Sequence, residues 1–314
     1  MASATVTVDD NVAAVDCGTN STRLLVADRS GRTLARQTRI TRLGQGVGST
    51  GRLGEEAIER TASALAAYRV VMDKLDVGQA RLVATSAARD AMNYGQFVEV
   101  VQRTTGLAVE ILGGEEEGSL AFAGATSDLV DANGPFLVLD IGGGSTEMVV
   151  GCDRPSGVVS LDMGCVRLTE RFLLHDPPTR LEIDNAAREV SSQLDVVSSK
   201  LHLGAFGEGA LTLVGLAGTV STLAALHQGL VTYDRDRVHH SVLTLDMVAR
   251  LFGELLSEDL VSRRARPGMD PGRADVIIGG TTILVGAMRK LGFSECLVSE
   301  ADILDGLVFS ILGG

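Results

Sequence analysis

The sequence predicts an α/β protein of two related domains, and three observations carry that prediction. A short pattern occurs twice: Val15-Asp16-Cys17-Gly18-Thr19-Asn20-Ser21-Thr22 returns as Leu139-Asp140-Ile141-Gly142-Gly143-Gly144-Ser145-Thr146, with Asp, Gly, Ser and Thr each displaced by 124 residues. Each copy lies between apolar runs, 12–15 and 24–26 for the first, 136–139 and 148–150 for the second, and so reads as strand, tight turn, strand. The 314 residues suffice for two cores, and the chain is rich in Ala, Val, Leu and Gly, poor in aromatics and without Trp, as in α/β enzymes.

The elements follow in order. After the first hairpin, the turn at 29–32 leads to a third strand over 33–40, and a Gly-rich loop follows at 43–48. The apolar positions Ala57, Ile58, Ala62, Leu65 and Val70 to Met72 recur at helical spacing and predict a helix over 55–74. Residues 81–84 form a buried strand running into Thr85-Ser86-Ala87-Ala88-Arg89-Asp90, then a helix, then a short strand at 109–112. The polar segment 127–135 marks the boundary, giving domains at 1–128 and 129–300, with a C-terminal helix at 301–314 packing back on the first. In the second domain, 181–201 and 245–260 read as helices, 211–219 as a strand with a Gly turn, and 220–226 as the start of a helix. The chain ends as helix, strand, helix over 274–288, 295–299 and 303–312.

The formal charge of −12 argues against non-specific nucleic-acid binding, because the global field repels a polyanion. A polyanionic substrate must therefore be held by local Arg groups, backbone amides or Mg²⁺. The longest apolar stretches, such as 277–285, fall well short of the roughly 18 residues of a membrane span. Residues 1–11 carry Asp9 and Asp10 and no basic n-region, so no secretory signal is expected. Cys17, Cys152, Cys165 and Cys296 have neither metal-ligand nor disulfide-framework spacing, and a reducing cytoplasm is the simplest location.

The repeated turns bring glycine backbone and Ser or Thr hydroxyls close to a ligand, which is how phosphate oxygens are bound. An Asp at the end of the first strand of each hairpin suits a metal, usually through water. Two such turns predict two domains sharing one phosphate-rich ligand.

With the segments Asp16-Cys17-Gly18-Thr19-Asn20-Ser21-Thr22-Arg23, Thr85-Ser86-Ala87-Ala88-Arg89-Asp90-Ala91, Gly114-Glu115-Glu116-Glu117, Asp140-Ile141-Gly142-Gly143-Gly144-Ser145-Thr146-Glu147, Met163-Gly164-Cys165-Val166-Arg167-Leu168 and Ala217-Gly218-Thr219, the chain resembles almost end to end the exopolyphosphatase and guanosine pentaphosphate phosphohydrolase family, in a short two-domain form. The resemblance implies two actin-like, ribonuclease H-like domains of the ASKHA superfamily with an active-site cleft between them. It implies that Asn20, Ser21 and Arg23, with Gly143, Gly144, Ser145 and Thr146, bind terminal phosphates, and that Arg89 is a further phosphate ligand. Asp140 and Glu147 would hold Mg²⁺, with Asp16 nearby, and Glu117 would align the attacking water as general base. A homodimer is implied by the family alone.

The implied reaction is Mg²⁺-dependent release of terminal phosphate from inorganic polyphosphate, with guanosine pentaphosphate (pppGpp) as the alternative substrate. Thr19 stands where the family has Ser, Gly118-Ser119 where Ala-Arg is common, and Asp305 where Arg is common, so two cations are missing. The chain stops after its second domain, which favours short polyphosphates or guanosine pentaphosphate. An actin-like kinase is a competing class, but Ala217-Gly218-Thr219 is only a partial nucleotide-pocket signal. A catalytically weak phosphate or alarmone sensor is another, against which the retained Asp16, Glu117, Asp140 and Glu147 count.

Simpler readings stand beside these. Glu115 to Glu117 suit a helix N-terminus, and Arg23 suits an outward position on a strand. Arg263-Arg264-Ala265-Arg266 reads as a solvated loop, with guidance of a polyphosphate chain as its functional alternative. His239-His240 has no partner at metal-ligand spacing and reads as structural. Asp162 and Arg167 shape the site without acting in catalysis.

Overall fold

Residues 11–27 fold as the hairpin that the first turn demands. The computed structural model describes residues 11–129, 134–206 and 211–313, so the acidic N-terminal stretch and part of the expected boundary segment lie outside the described residues. Strand β1 (Asn11–Cys17) pairs antiparallel with β2 (Ser21–Ala27), setting Asp16 opposite Arg23. The chain continues through β3 (Thr33–Ile40), the single turn α1 (Val47–Thr50), and α2 (Glu55–Lys74). On α2, Ala57, Ile58, Thr61, Ala64, Leu65, Tyr68 and Met72 are buried at helical spacing, with Glu55 and Glu56 at its N-terminus and Lys74 at its C-terminus matching the dipole. Then come β4 (Val77–Ala84), α3 (Ser86–Asp90), α4 (Tyr94–Thr105), β5 (Val109–Ile111) and α5 (Gly114–Thr126). The sheet order is β3-β2-β1-β4-β5, with β4 and β5 parallel to β1 and reached through helices, as parallel pairing requires.

The second sheet repeats this plan. Strands β6 (Phe136–Ile141), β7 (Thr146–Gly151) and β8 (Pro155–Leu161) form the antiparallel meander. After α6 (Cys165–Phe172) and α7 (Arg180–Lys200), which starts on a Thr179/Glu182 capping box, β9 (Thr212–Leu216) lies parallel to β6. Helices α8 (Ala217–His227) and α9 (Arg235–Val238) precede an added edge strand, β10 (Val242–Thr244). Next come α10 (Leu245–Ser257), α11 (Leu260–Arg264), the largely buried α12 (Ile277–Leu291) and β11 (Glu295–Val298). The order is β10-β11-β9-β6-β7-β8. Every residue of β6 and β7 is buried, the pattern of strands covered on both faces. No helix among the described residues is long and apolar enough to cross a membrane.

Three expectations need correction. The strand β8, the helix α6 and the edge strand β10 carry no clear sequence signal, because they are short and mix Gly, Ser, Pro or charge with their apolar residues. No Gly turn follows β9: the strand passes directly into α8, with Ala217 at φ 67 absorbing the change of direction. By internal contacts the chain divides within α5, between Leu120 and Ala121, rather than after Asp128, and the second unit runs to Asp302.

The last helix, α13 (Ile303–Leu312), belongs to the first unit, where it packs on β1, β2 and β4. Asp305 on this helix takes both carboxylate oxygens to Arg36 Nη2 of β3, at 2.6 and 2.5 Å, with both side chains largely buried. The acid at this position is therefore more than a missing cation: it fixes the helix to the sheet. Because the pair lies between exposed and fully buried cases, Asp305→Ala should cost about 1–3 kcal/mol of unfolding free energy. Chemical denaturation measures this, and an unchanged midpoint would show the pair to be idle.

Candidate active site

The two repeated turns have the same local geometry. A Cβ on Gly18 would lie 3.1 Å from the Ser21 carbonyl oxygen, and one on Gly142 3.0 Å from that of Ser145, so a side chain at either glycine would have to push that carbonyl back by a few tenths of an ångström. The threonine ending each copy is wholly buried. Thr22 Oγ1 bonds Thr41 Oγ1 at 2.8 Å, while Thr146 Oγ1 donates to the Met163 carbonyl at 2.6 Å. The Thr146 hydroxyl is thus committed to tying the turn to the segment after β8.

That segment also decides which way the second turn faces. The Gly142 carbonyl accepts from Cys165 N–H (2.9 Å), the Gly143 carbonyl from Val166 N–H (2.9 Å) and Arg167 N–H (3.1 Å), and the Gly144 carbonyl from Arg167 Nε (2.8 Å). A trans peptide is planar, with C=O and the next N–H antiparallel. The N–H groups of Gly143, Gly144 and Ser145 therefore point away from α6, a run of backbone donors of the kind that can bind an anion. In the first turn, the Thr19 carbonyl accepts from Gly44 N–H (2.9 Å) and the Asn20 carbonyl from Thr41 and Arg42 N–H (3.1 and 2.9 Å), turning the N–H groups of Asn20 and Ser21 outward in the same manner. Asn20 is 8% exposed, and its side-chain Nδ2 has no acceptor among the described residues. A buried donor of this kind fits an anion.

Gly164 makes the second arrangement possible. A Cβ there would lie 2.4 Å from the Gly143 carbonyl group and 2.6 Å from Gly144 N. Gly164→Ala must push the turn out of place, at about 1–3 kcal/mol of overpacking. Calorimetric titration with pyrophosphate should show weakened binding alongside a lower melting temperature; wild-type affinity would show that this turn does not bind the anion.

The charges of the two hairpins differ in an informative way. In the first, Arg23 donates to Asp16 Oδ2 from Nε (3.0 Å) and Nη2 (2.6 Å), so carboxylate faces guanidinium. In the second, Asp140 faces Glu147 across β6 and β7, and both are buried, at 7% and 1% exposure. Two carboxylates directly opposite on neighbouring strands repel, and burial raises the cost. Hard carboxylate oxygens converging on one strand pair suit Mg²⁺, which offsets that repulsion. Of the three expected metal ligands, the structure brings together Asp140 and Glu147 and pairs Asp16 with Arg23 in the first unit.

The glutamate cluster separates cleanly. Glu115, Glu116 and Glu117 occupy the first turn of α5, where acidic residues favour the dipole. Glu115 and Glu116 are exposed, but Glu117 is 9% exposed. Its Oε2 lies 3.3 Å from Arg89 Nη1, which also donates to the Leu112 carbonyl at 2.8 Å. The residues expected to act as base and as phosphate ligand are thus neighbours in one unit.

Elsewhere the structure gives other answers. Arg263 is buried, donating to the Ala274 carbonyl and to Asp176, while Arg266 pairs with Glu254 and Glu258. These two cations clamp the second unit's helices and are not a solvated loop that guides a polyanion; Arg264 alone of the three is exposed. His239 and His240 stack at 3.8 Å and reach Asp128 through Nε2 at 2.7 and 3.4 Å. His239 Nδ1 accepts the Glu300 N–H (3.0 Å), so the neutral ring keeps its proton on Nε2 and donates it to Asp128. A metal-bound histidine instead donates through its second nitrogen, and the trio is a hydrogen-bonded tether. Burial pushes the Cys165 thiol up to about 11 and that of Cys296 to about 12, so neither is a thiolate nucleophile.

Residues 25–313 match the model of the Ppx/GppA phosphatase family. The chain is 44% identical to exopolyphosphatase 2 of Mycobacterium tuberculosis, covering 96% of this chain and 98% of the relative. Among solved structures it superposes on an exopolyphosphatase-like protein with a TM-score of 0.91 at 35% identity, covering 96% of this chain and 99% of the other. A Ppx/GppA family member from Aquifex aeolicus gives a TM-score of 0.80 at 34% identity, covering 97% and 98%.

Proposed function

The chain belongs to the Ppx/GppA phosphatase family, and from that premise we propose that it is an exopolyphosphatase, releasing terminal orthophosphate from inorganic polyphosphate by in-line attack of water. The observation that carries the metal-assisted part of this reading is the facing pair of buried carboxylates, Asp140 and Glu147, beside a turn with outward N–H groups. These carboxylates would hold Mg²⁺, which would supply screening of phosphate oxygen charge. In the second unit the N–H groups of Gly143, Gly144 and Ser145 are the phosphate-oxygen donors, and in the first unit those of Asn20 and Ser21 with the Asn20 amide are. Arg23 and Arg89 add positive charge, each beside a carboxylate that keeps it oriented until substrate arrives. Asp16 orients Arg23 within the first unit. Thr146 contributes by shaping its turn.

Glu117 takes a proton from the attacking water. A phosphoanhydride needs no covalent catalysis, only positioning, charge stabilisation and a base near the water. A base is what a sensor lacks any use for. Measurement of orthophosphate release from linear polyphosphates of defined length and from guanosine pentaphosphate tests the reading. Release from polyphosphate is expected; release from guanosine pentaphosphate alone would reassign the substrate, and release from neither would favour a sensor.

A further inference from the structure

We propose that Ser160 is the positioning residue that prepares Glu147 for a divalent cation. The inference rests on the reading of Asp140 and Glu147 as the cation-binding pair. Ser160 lies on β8 directly opposite Glu147, and its Oγ donates to Glu147 Oε1 at 2.7 Å. Asp140, Glu147 and Ser160 are consecutive register partners on β6, β7 and β8, so all three side chains project from one face of the sheet in a single row. Ser160 therefore stands at the end of this row, next to Glu147 and one strand beyond it from Asp140.

The hydroxyl fixes rotation of the Glu147 carboxylate about its last torsion, which is otherwise broad, so that one oxygen is anchored and the orientation of the other is set. Hydrogen-bonded partners of this kind hold metal-ligating carboxylates in place, and their loss typically weakens metal affinity about 10- to 100-fold. The first unit explains why the feature is specific to the second. Its corresponding row is Asp16, Arg23 and Thr38, where the carboxylate is met by a guanidinium and Thr38 is exposed.

The test is Mn²⁺ binding to the full chain without substrate, followed by electron paramagnetic resonance, for wild type, Ser160→Ala, and the isosteric pair Ser160→Thr and Ser160→Val. Asp140→Asn and Glu147→Gln serve as references, and thermal melts report folding. Ser160→Ala and Ser160→Val should weaken Mn²⁺ affinity by about 10- to 100-fold, while Ser160→Thr, which keeps the hydroxyl, stays within a few-fold of wild type. Equal affinity in the Thr and Val variants overturns the role of Ser160, provided Glu147→Gln loses Mn²⁺. If Glu147→Gln binds Mn²⁺ like wild type, the carboxylate pair itself has been misread.

Discussion

Glu117→Gln should lower kcat for orthophosphate release by about 100- to 10,000-fold, the contribution of a positioned general base, while KM moves by no more than a few-fold. The change is nearly isosteric. Glutamine retains an oxygen that accepts from Arg89 Nη1, so the local contact at 3.3 Å survives and the first-unit donors keep their places. What disappears is basicity. The loss corresponds to about 3–5 kcal/mol of barrier, far more than one hydrogen bond contributes in a folded protein. Glu115→Gln and Glu116→Gln are the internal controls, because both residues sit exposed on the same helical turn. They should stay near wild type. Comparable losses in all three variants would mean that the turn acts through its summed charge and not through Glu117.

The second large effect concerns the facing carboxylates. If Asp140 helps hold a charge-screening cation, Asp140→Asn should lower kcat/KM by about 1,000-fold or more. Adding Mg²⁺ should raise the melting temperature of wild type, as any ligand of the native state does, and leave that of Asp140→Asn unchanged. A merely structural aspartate predicts instead that Mg²⁺ shifts both proteins alike.

Much of this was legible in the chain, for a physical reason. Tight turns, amphipathic helices and hairpins are written in neighbouring residues, so the repeat at 12–26 and 136–150 and the full extent of α2 could be read directly. The turn length even fixes the register that sets Asp16 against Arg23 and Asp140 against Glu147. The burial of Glu117 relative to Glu115 and Glu116 could not be read, because it depends on what lies against α5. The same holds for pairs joined only in the fold: Arg36 with Asp305, Arg263 with Asp176, and Asp128 with His239. The hold of Arg167 on the Gly144 carbonyl is of this kind as well. Its only trace in the sequence is the Met163 to Leu168 segment, which marks the position without stating the contact.

If the buried carboxylates of the second unit recruit Mg²⁺ for hydrolysis of a phosphoanhydride end, orthophosphate release from a linear polyphosphate by wild type and Asp140→Asn, measured across a Mg²⁺ titration that begins in EDTA, must depend on both. Wild type should release none in EDTA and release saturably as Mg²⁺ is added, and Asp140→Asn should release none at the Mg²⁺ concentrations that saturate wild type. Release by wild type that is undiminished in EDTA, or release by Asp140→Asn with the wild-type Mg²⁺ dependence, would contradict that recruitment.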